Sequence, residues 1–219
     1  MTPVPGRYIA IEGVIGVGKT SLAKLLSERL HAKLILEEPE ANPFLADFYK
    51  DPRRYAFQTQ MFFLMSRYQE LKEKTHPDLF HEAIVSDYLF QKDRIFANLN
   101  LSDRELHLYD KVAPLLEQDL APPDLVVYLQ ASPEVLLTRV QQRGRAYEKL
   151  MEPKYIATLV EAYNYYFFHY RGAPLLVVNT NEMNFVHRRE DLEDLVSRIE
   201  THGEGIAYVS PGTRMEETP

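Results

Sequence analysis

The chain has 219 residues, 45% hydrophobic and 26% charged, which is enough for one globular domain with a buried core. Its formal net charge of −7 argues against a protein whose main surface is a nucleic-acid groove. The chain has neither a run of about 18 apolar residues nor a secretory signal pattern, and it contains no cysteine for disulfides, thiol catalysis or metal ligation. We therefore expect a soluble cytoplasmic protein without membrane or nucleic-acid partners.

Short apolar runs alternate with longer segments of helical periodicity. The runs predict five buried strands, over Tyr8–Glu12, Lys33–Glu37, Ala83–Asp87, Leu125–Leu129 and Leu175–Val178. Helices are predicted over Lys19–His31, Arg54–Lys74, Ser102–Leu120, from Ser132 onward, Tyr155–Tyr170 and Arg188–Glu200. The alternation predicts an α/β fold with a five-stranded parallel sheet and helices on both faces. We expect one domain over residues 1–219, with His202–Pro219 as a loosely held tail.

A glycine-rich loop follows the first predicted strand and opens the first predicted helix. It reads GVIGVGKT and matches the pattern G-x-x-x-x-G-K-[ST]. Glycines let backbone N–H groups curl around phosphate oxygens, a lysine reaches the β- and γ-phosphates, and a hydroxyl can ligate Mg²⁺. The sequence therefore predicts a nucleoside triphosphate site formed by Gly13, Val14, Ile15, Gly16, Val17, Gly18, Lys19, Thr20 and Ser21.

Carboxylates stand at the ends of the next two predicted strands, at Glu37 and Glu38 and then at Asp87. Ligands of open α/β sheets bind beyond the carboxyl ends of the strands. A carboxylate there can accept a proton from an attacking hydroxyl or hold Mg²⁺. The alternative is that Glu37, Glu38 and Glu40 form only a solvated charge run. The chain lacks an Asn-Lys-x-Asp motif, which argues against a GTPase switch.

Four segments carry a resemblance to a known family. They are GVIGVGKTSLAKLL, EEPEANPFLADFYKDPRRYAFQTQMFFLMSRYQEL, VSDYLFQKDRIFANLNL and RGRAYEK. In this order they resemble the bacterial deoxyribonucleoside kinases, especially the deoxyadenosine and deoxyguanosine kinase branch. The resemblance implies a P-loop kinase fold with an arginine-rich lid, ATP and Mg²⁺ as cofactors, and a homodimer. It further implies 5′-phosphorylation of deoxynucleosides, with deoxyadenosine or deoxyguanosine favoured and deoxycytidine as another acceptor.

The resemblance assigns roles at the acceptor site. The general base matches Glu37, with Glu38 as the alternative, and the base-binding pair matches Gln60 and Arg67, with Asp93 as the acidic partner of the arginine. Seven residues separate Gln60 from Arg67, so both project from one helix face roughly 10 Å apart along its axis. An amide and a guanidinium offer complementary donors and acceptors to a nucleobase.

Further positions match the sugar, the lid and the donor base. Tyr49 and Glu148 correspond to residues that hold the sugar 3′-hydroxyl, and a tyrosine beside the second sugar carbon disfavours ribose. Phe185 resembles an aromatic residue near the adenine of the donor. The lid arginines, whose bidentate forks suit phosphate, match Arg139, Arg143 and Arg145.

One departure from the family pattern lies directly after the third predicted strand. Many members have an arginine there that orients the 5′-hydroxyl, whereas this chain has Tyr88 after Asp87. Some bacterial members also have Asp-Tyr. The role of the arginine must pass to the lid or to another cation, while Asp87, with Thr20, is still expected to serve the Mg²⁺ site.

Two other functions remain open from the residues. A thymidylate-type nucleoside monophosphate kinase shares the glycine loop, the sheet and the lid, but its acceptor is already ionised and needs a carboxylate base less. A P-loop switch or ATPase that signals through a partner is the other alternative. The aromatic cluster Tyr163–Tyr170 is interpreted as helix packing or as part of a dimer face.

Overall fold

The computed structural model describes residues 7–75, 80–145, 148 and 151–210. Within them, one parallel sheet has the strand order β2-β3-β1-β4-β5-β6. The strands are β1 (Arg7–Gly13), β2 (Ala32–Ile35), β3 (Ala83–Ser86), β4 (Leu125–Gln130), β5 (Leu175–Asn179) and β6 (Ile206–Val209). All four residues of β3 and the first five of β4 are buried, so both faces of the sheet are covered.

The parallel α/β fold is confirmed, but the prediction of five strands is wrong. The sixth strand, β6, lies inside the segment that was expected to be a loose tail. It pairs with β5 in parallel, with Val209 opposite Val178. Only Val209 of this strand is buried, because β6 is an edge strand, and the sequence therefore lacks the apolar run that marks the inner strands.

Helices join the strands. They are α1 (Lys19–Arg29), α2 (Leu45–Lys50), α3 (Pro52–Lys74), α4 (Lys92–Asn100), α5 (Asp103–Glu117), α6 (Pro133–Arg143), α7 (Pro153–Phe168) and α8 (Arg189–Thr201), and a 3₁₀ turn covers Pro39–Ala41. The six predicted helices are present, and α2 and α4 are additional. As predicted, Ser102 begins α5 in a capping box with Glu105, and Ser132 caps α6.

The topology brings the functional loops to one edge of the sheet. Strand β3 pairs with both β1 and β2, and Ser86 lies opposite Ala10 of β1 and Ile35 of β2. The carboxyl ends of β2 and β3 are therefore level, about 4.8 Å apart, and β1 extends three residues beyond them to Gly13, where the glycine loop begins. Strands β2 and β3 lie on one side of β1, and β4, β5 and β6 lie on the other. The strand order therefore reverses at β1, and open α/β sheets bind ligands at such a switch point.

Some predictions fall on residues outside the described part of the chain. These are the N-terminal residues 1–6, the lid residues Ala146, Tyr147 and Lys149, and residues 211–219 of the predicted tail. Among the helices that are described, none is long and apolar enough to cross a membrane.

Candidate active site

The glycine loop, residues 13–20, connects β1 to α1 through backbone conformations that favour glycine. Gly16 and Gly18 have φ angles of 89° and 110°, and a Cβ at Gly16 would lie 2.7 Å from Cγ2 of Val140. Lys19 Nζ donates to the carbonyl oxygens of Gly13 and Val14, at 2.6 and 3.3 Å. Burial lowers the pKa of Lys19 to about 8, against the opposing charge of nearby carboxylates. The predicted phosphate-binding residues thus form one loop at the amino end of a helix.

Thr20 and Asp87, the predicted metal ligands, are in direct contact. The Thr20 hydroxyl donates to Asp87 Oδ2 at 2.5 Å, and the Glu37 backbone N–H donates to Oδ1 at 2.8 Å. A hydroxyl and a carboxylate are hard oxygen ligands of the kind that Mg²⁺ takes alongside water and phosphate oxygens. This pair therefore fits a magnesium site at the start of α1.

Glu37 follows β2 and is held by two cations. Its Oε1 accepts hydrogen bonds from Nε and Nη2 of Arg67, at 2.8 and 2.6 Å, and its Oε2 accepts from Lys92 Nζ at 2.8 Å. Burial alone would raise the pKa of the Glu37 carboxyl, but the charges of Arg67 and Lys92 outweigh burial and hold this pKa well below its ordinary value. Glu37 is therefore an ionised acceptor, whereas Glu38 is exposed to solvent.

The predicted base-binding trio lies together on α3 and α4. Arg67 forms a buried ion pair with Asp93 as well as with Glu37, and Gln60 Nε2 donates to the backbone carbonyl of Asp93 at 2.8 Å. Burial raises the pKa of Asp93, and the charge of Arg67 opposes that rise. The Arg67 guanidinium carbon lies 4.8 Å from the centre of the Phe63 ring. These contacts fix the guanidinium in one orientation.

A cavity of about 350 Å³ extends from the glycine loop to this trio. Tyr49 lies on its wall and packs edge-on against Phe48, with ring centres 5.4 Å apart. Glu148 lines the same cavity and is paired with Arg143. The cavity thus collects every predicted acceptor-site residue: Glu37, Tyr49, Gln60, Arg67, Asp87 and Glu148 line it, and Asp93 lies behind Gln60 and Arg67.

A second, wider cleft of about 970 Å³ lies on the other side of the glycine loop. Arg139 is anchored there, donating to the carbonyl oxygens of Val17 and Thr180 at 3.2 and 2.7 Å. Arg143 and Arg145 line both this cleft and the first cavity, and Arg145 pairs with Glu40 at 3.1 Å. The three arginines of the predicted lid therefore surround the space above the loop.

Phe185 lies at the donor cleft but is buried. A Cβ added at Gly18 would meet its ring at 3.0 Å, and only 5% of the residue is exposed. The phenyl ring therefore packs against the glycine loop at Gly18, and its role beside a donor base stays a prediction.

Several residues of the site were missed from the sequence. Lys92, at the start of α4, contacts Glu37, and Phe63 and Phe96 line the acceptor cavity. Buried Glu12 accepts from the backbone N–H groups of Gly13 and Leu89, at 2.9 and 2.8 Å, and so ties the glycine loop to the segment after β3. The available signal was a lysine four residues after Tyr88, the position at which the family pattern has an arginine.

The aromatic cluster on α7 is partly core. Tyr163 and Phe167 are buried, and the Phe167 and Tyr128 rings stack with centres 4.0 Å apart, as the packing interpretation predicts. Tyr165 and Phe168 are 72% and 71% exposed. A role of this face in a dimer stays a prediction.

Comparison with known proteins identifies the family. Residues 9–203 match the family described as deoxynucleoside kinase. The chain is 36% identical over 197 residues to a deoxyguanosine kinase of Bacillus subtilis, covering 88% of this chain and 95% of the relative. It is 35% identical over 213 residues to a deoxyadenosine kinase of Dictyostelium discoideum, covering 94% and 82%.

The fold agrees with this match. The structure of a deoxyadenosine kinase from M. mycoides with the products dCMP and dCDP bound is 26% identical, with a TM-score of 0.77 over 88% of this chain and 98% of that chain. A loop suited to phosphates, an ionised carboxylate beside it and a buried polar trio meet in the structure at the places that the family pattern predicts. This chain belongs to the deoxynucleoside kinase family.

Proposed function

We propose that the protein transfers the γ-phosphoryl group of ATP to the 5′-hydroxyl of a deoxynucleoside. The observation that carries this proposal is the position of Glu37, whose carboxylate lines a cavity that opens onto Lys19 and Thr20 of the glycine loop. A nucleoside in that cavity presents a hydroxyl that must lose a proton. An ionised carboxylate at the phosphoryl site supplies the acceptor for that proton.

The 5′-oxygen attacks the γ-phosphorus while its proton passes to Glu37, and the bond from the γ-phosphorus to the bridging oxygen breaks. That bridging oxygen leaves with the electron pair on ADP, and the product is a deoxynucleoside 5′-monophosphate. The lid arginines Arg139, Arg143 and Arg145 lie around the glycine loop. Together with Lys19 of the loop they would stabilise charge on the transferred group.

Thr20 and Asp87 would hold Mg²⁺, since their oxygens meet at the start of α1. When bound, the ion neutralises phosphate charge. Asp87 has a second role that Thr20 does not share. It accepts a hydrogen bond from the Glu37 backbone N–H and so fixes the segment that carries Glu37.

The acceptor is proposed to be a purine deoxynucleoside, with deoxycytidine as a further substrate. Gln60 and Arg67 would read the base, and the contact of Arg67 with Asp93 would orient its fork. Tyr49 and Glu148 would hold the sugar 3′-hydroxyl, and Tyr49 would disfavour a 2′-hydroxyl. Relatives named for deoxyguanosine, deoxyadenosine and deoxycytidine support this acceptor class.

A homodimer and a cytoplasmic location complete the proposal. The exposed aromatic side chains of α7, Tyr165 and Phe168, offer apolar surface for a second subunit.

The test is a panel of acceptors with ATP and Mg²⁺ and with identification of each product. The panel contains deoxyadenosine, deoxyguanosine, deoxycytidine, thymidine, adenosine and dTMP. We expect 5′-monophosphates of purine deoxynucleosides, with adenosine a poor substrate. Turnover of dTMP alone would support the monophosphate kinase, and ATP hydrolysis without any acceptor product would support the ATPase.

A further inference from the structure

The residue at the family's arginine position cannot act on the acceptor. Tyr88 is buried, and its hydroxyl donates to Glu70 Oε2 at 2.7 Å. Glu70 in turn pairs with Lys74, at 2.6 Å. Tyr88 therefore belongs to a polar contact with α3, and the cationic role of the missing arginine falls to another residue.

Lys92 lies where such a cation is needed. Its side chain is 4% exposed, its ammonium is 2.8 Å from Glu37 Oε2, and it lines the acceptor cavity. The ammonium also lies 5.6 Å from the centre of the Tyr88 ring. The tyrosine, in the bend before α4, therefore lies beside the lysine four residues later.

Stability does not explain this placement. Lys92 is the first residue of α4, and a positive charge at the amino end of a helix is unfavourable because the helix dipole is positive there. Burial of an ammonium adds a desolvation cost that an ion pair only partly offsets. A charge kept at such a position is typical of a functional site.

One carboxylate oxygen of Glu37, Oε2, can accept a further hydrogen bond. Oε1 already accepts two hydrogen bonds from Arg67, whereas Oε2 accepts one, from Lys92. Each carboxylate oxygen has two lone-pair positions, so Oε2 has one left. Among the described residues, Glu37 is the one hydrogen-bond acceptor of the Lys92 ammonium, which has three N–H groups. An acceptor position and two donors therefore remain side by side.

We infer that Lys92 is the acceptor-side catalytic cation, donating a hydrogen bond to the 5′-oxygen while Glu37 Oε2 takes the 5′-proton. This inference rests on the proposed function. The ammonium binds the oxygen as it loses its proton and forms the bond to phosphorus, and Lys92 itself neither gains nor loses a proton. The chain thus replaces an arginine at position 88 with a lysine at position 92.

The first test is kinetic. Lys92→Met keeps the length of the side chain and removes its charge, and we expect kcat to fall roughly 10²–10³-fold while the KM for ATP is unchanged. Lys92→Arg keeps the charge and should retain at least about tenfold more activity than Lys92→Met. Lys111→Met, on the exposed face of α5, is the matched control. Full kcat in Lys92→Met, or equal losses in both Lys92 variants, would overturn the inference.

The second test measures binding and does not depend on turnover. The probe is the 5′-amino-2′,5′-dideoxy analogue of deoxyadenosine or deoxyguanosine, whichever parent is phosphorylated faster. Its ammonium group is repelled by Lys92 in the natural protein but can replace that charge beside Glu37 Oε2 in Lys92→Met. We expect the affinity for the analogue, relative to the parent nucleoside, to rise at least about tenfold in Lys92→Met.

The two tests separate this inference from the proposed function. If the natural protein phosphorylates no deoxynucleoside, the proposed function fails. If it does so and the relative affinity for the 5′-amino analogue is the same in Lys92→Met, the role of Lys92 fails alone. Thermal unfolding of each variant shows whether a loss of activity is structural. Lys92→Met removes one of the two cations that pair with Glu37 and leaves Arg67, so we expect a lower melting temperature for Lys92→Met and a smaller decrease for Lys92→Arg, and the kinetic assays are run below the melting transition of every variant.

Discussion

Replacement of Glu37 by glutamine is the most informative single change. The amide has nearly the shape of the carboxylate but carries no charge and cannot serve as a general base. In the structure the carboxylate neutralises two cations at once, since Arg67 and Lys92 both bind it with side chains only 5% and 4% exposed. The substitution therefore removes the proton acceptor and leaves a buried cation without its partner.

Two magnitudes follow from this geometry. Loss of a general base lowers kcat by roughly 10²–10⁴-fold. An uncompensated buried charge costs about 3 kcal/mol of unfolding free energy or more, which for a chain of this size lowers the melting temperature by about 10 °C. ATP binding should be nearly unchanged, because Glu37 makes no hydrogen bond to the glycine loop.

The assay is steady-state formation of the 5′-monophosphate, with thermal unfolding and ATP binding measured on the same preparations. The matched control is Glu38→Gln, which makes the same chemical change at the exposed neighbouring position. Near-normal kcat in Glu37→Gln together with a large loss in Glu38→Gln would transfer the base role to Glu38 and refute this reasoning.

Other predictions concern the metal site, the sugar and the edge of the sheet. Asp87→Asn should raise the Mg²⁺ concentration for half-maximal rate roughly 10–100-fold, because it removes one negative charge and changes the contact with Thr20. An unchanged Mg²⁺ titration would contradict this. Tyr49→Ala should lower the preference for deoxyadenosine over adenosine about tenfold in kcat/KM, since it opens the wall beside the sugar. An unchanged ratio would remove Tyr49 from sugar selection. Val209→Asp should destabilise the fold by about 3 kcal/mol in denaturant unfolding, whereas Tyr208→Asp, at a position 70% exposed, should have little effect. Equal effects would show that β6 does not pack as described.

The inner strands were predictable because burial on both faces requires a continuous apolar run. The residues of β4, Leu125–Gln130, show this pattern clearly. Strand β6 lacks it because its edge position exposes Ile206 and Tyr208. Helix α4 was missed for a related reason, since Lys92 and Asp93 are buried polar residues that interrupt the apolar periodicity.

The parts of the site that lie within one continuous segment were predictable from the sequence. The glycine loop is a continuous segment, and Gln60 and Arg67 share one helix face. The contacts of Glu37 were not predictable in the same way, because Arg67 and Lys92 reach it from positions 30 and 55 residues away. Such contacts depend on the strand order, which places the ends of β2 and β3 side by side.

Transfer of label from [γ-³²P]ATP to a purine deoxynucleoside tests the central claim most directly. Deoxyguanosine and deoxyadenosine are offered together with dTMP in one reaction, and the labelled products are separated and identified. We predict label at the 5′-position of the deoxynucleosides and little in dTDP. Label found only in inorganic phosphate or only in dTDP would contradict the account, and the roles given to Glu37, Gln60, Arg67 and Asp93 would then be wrong.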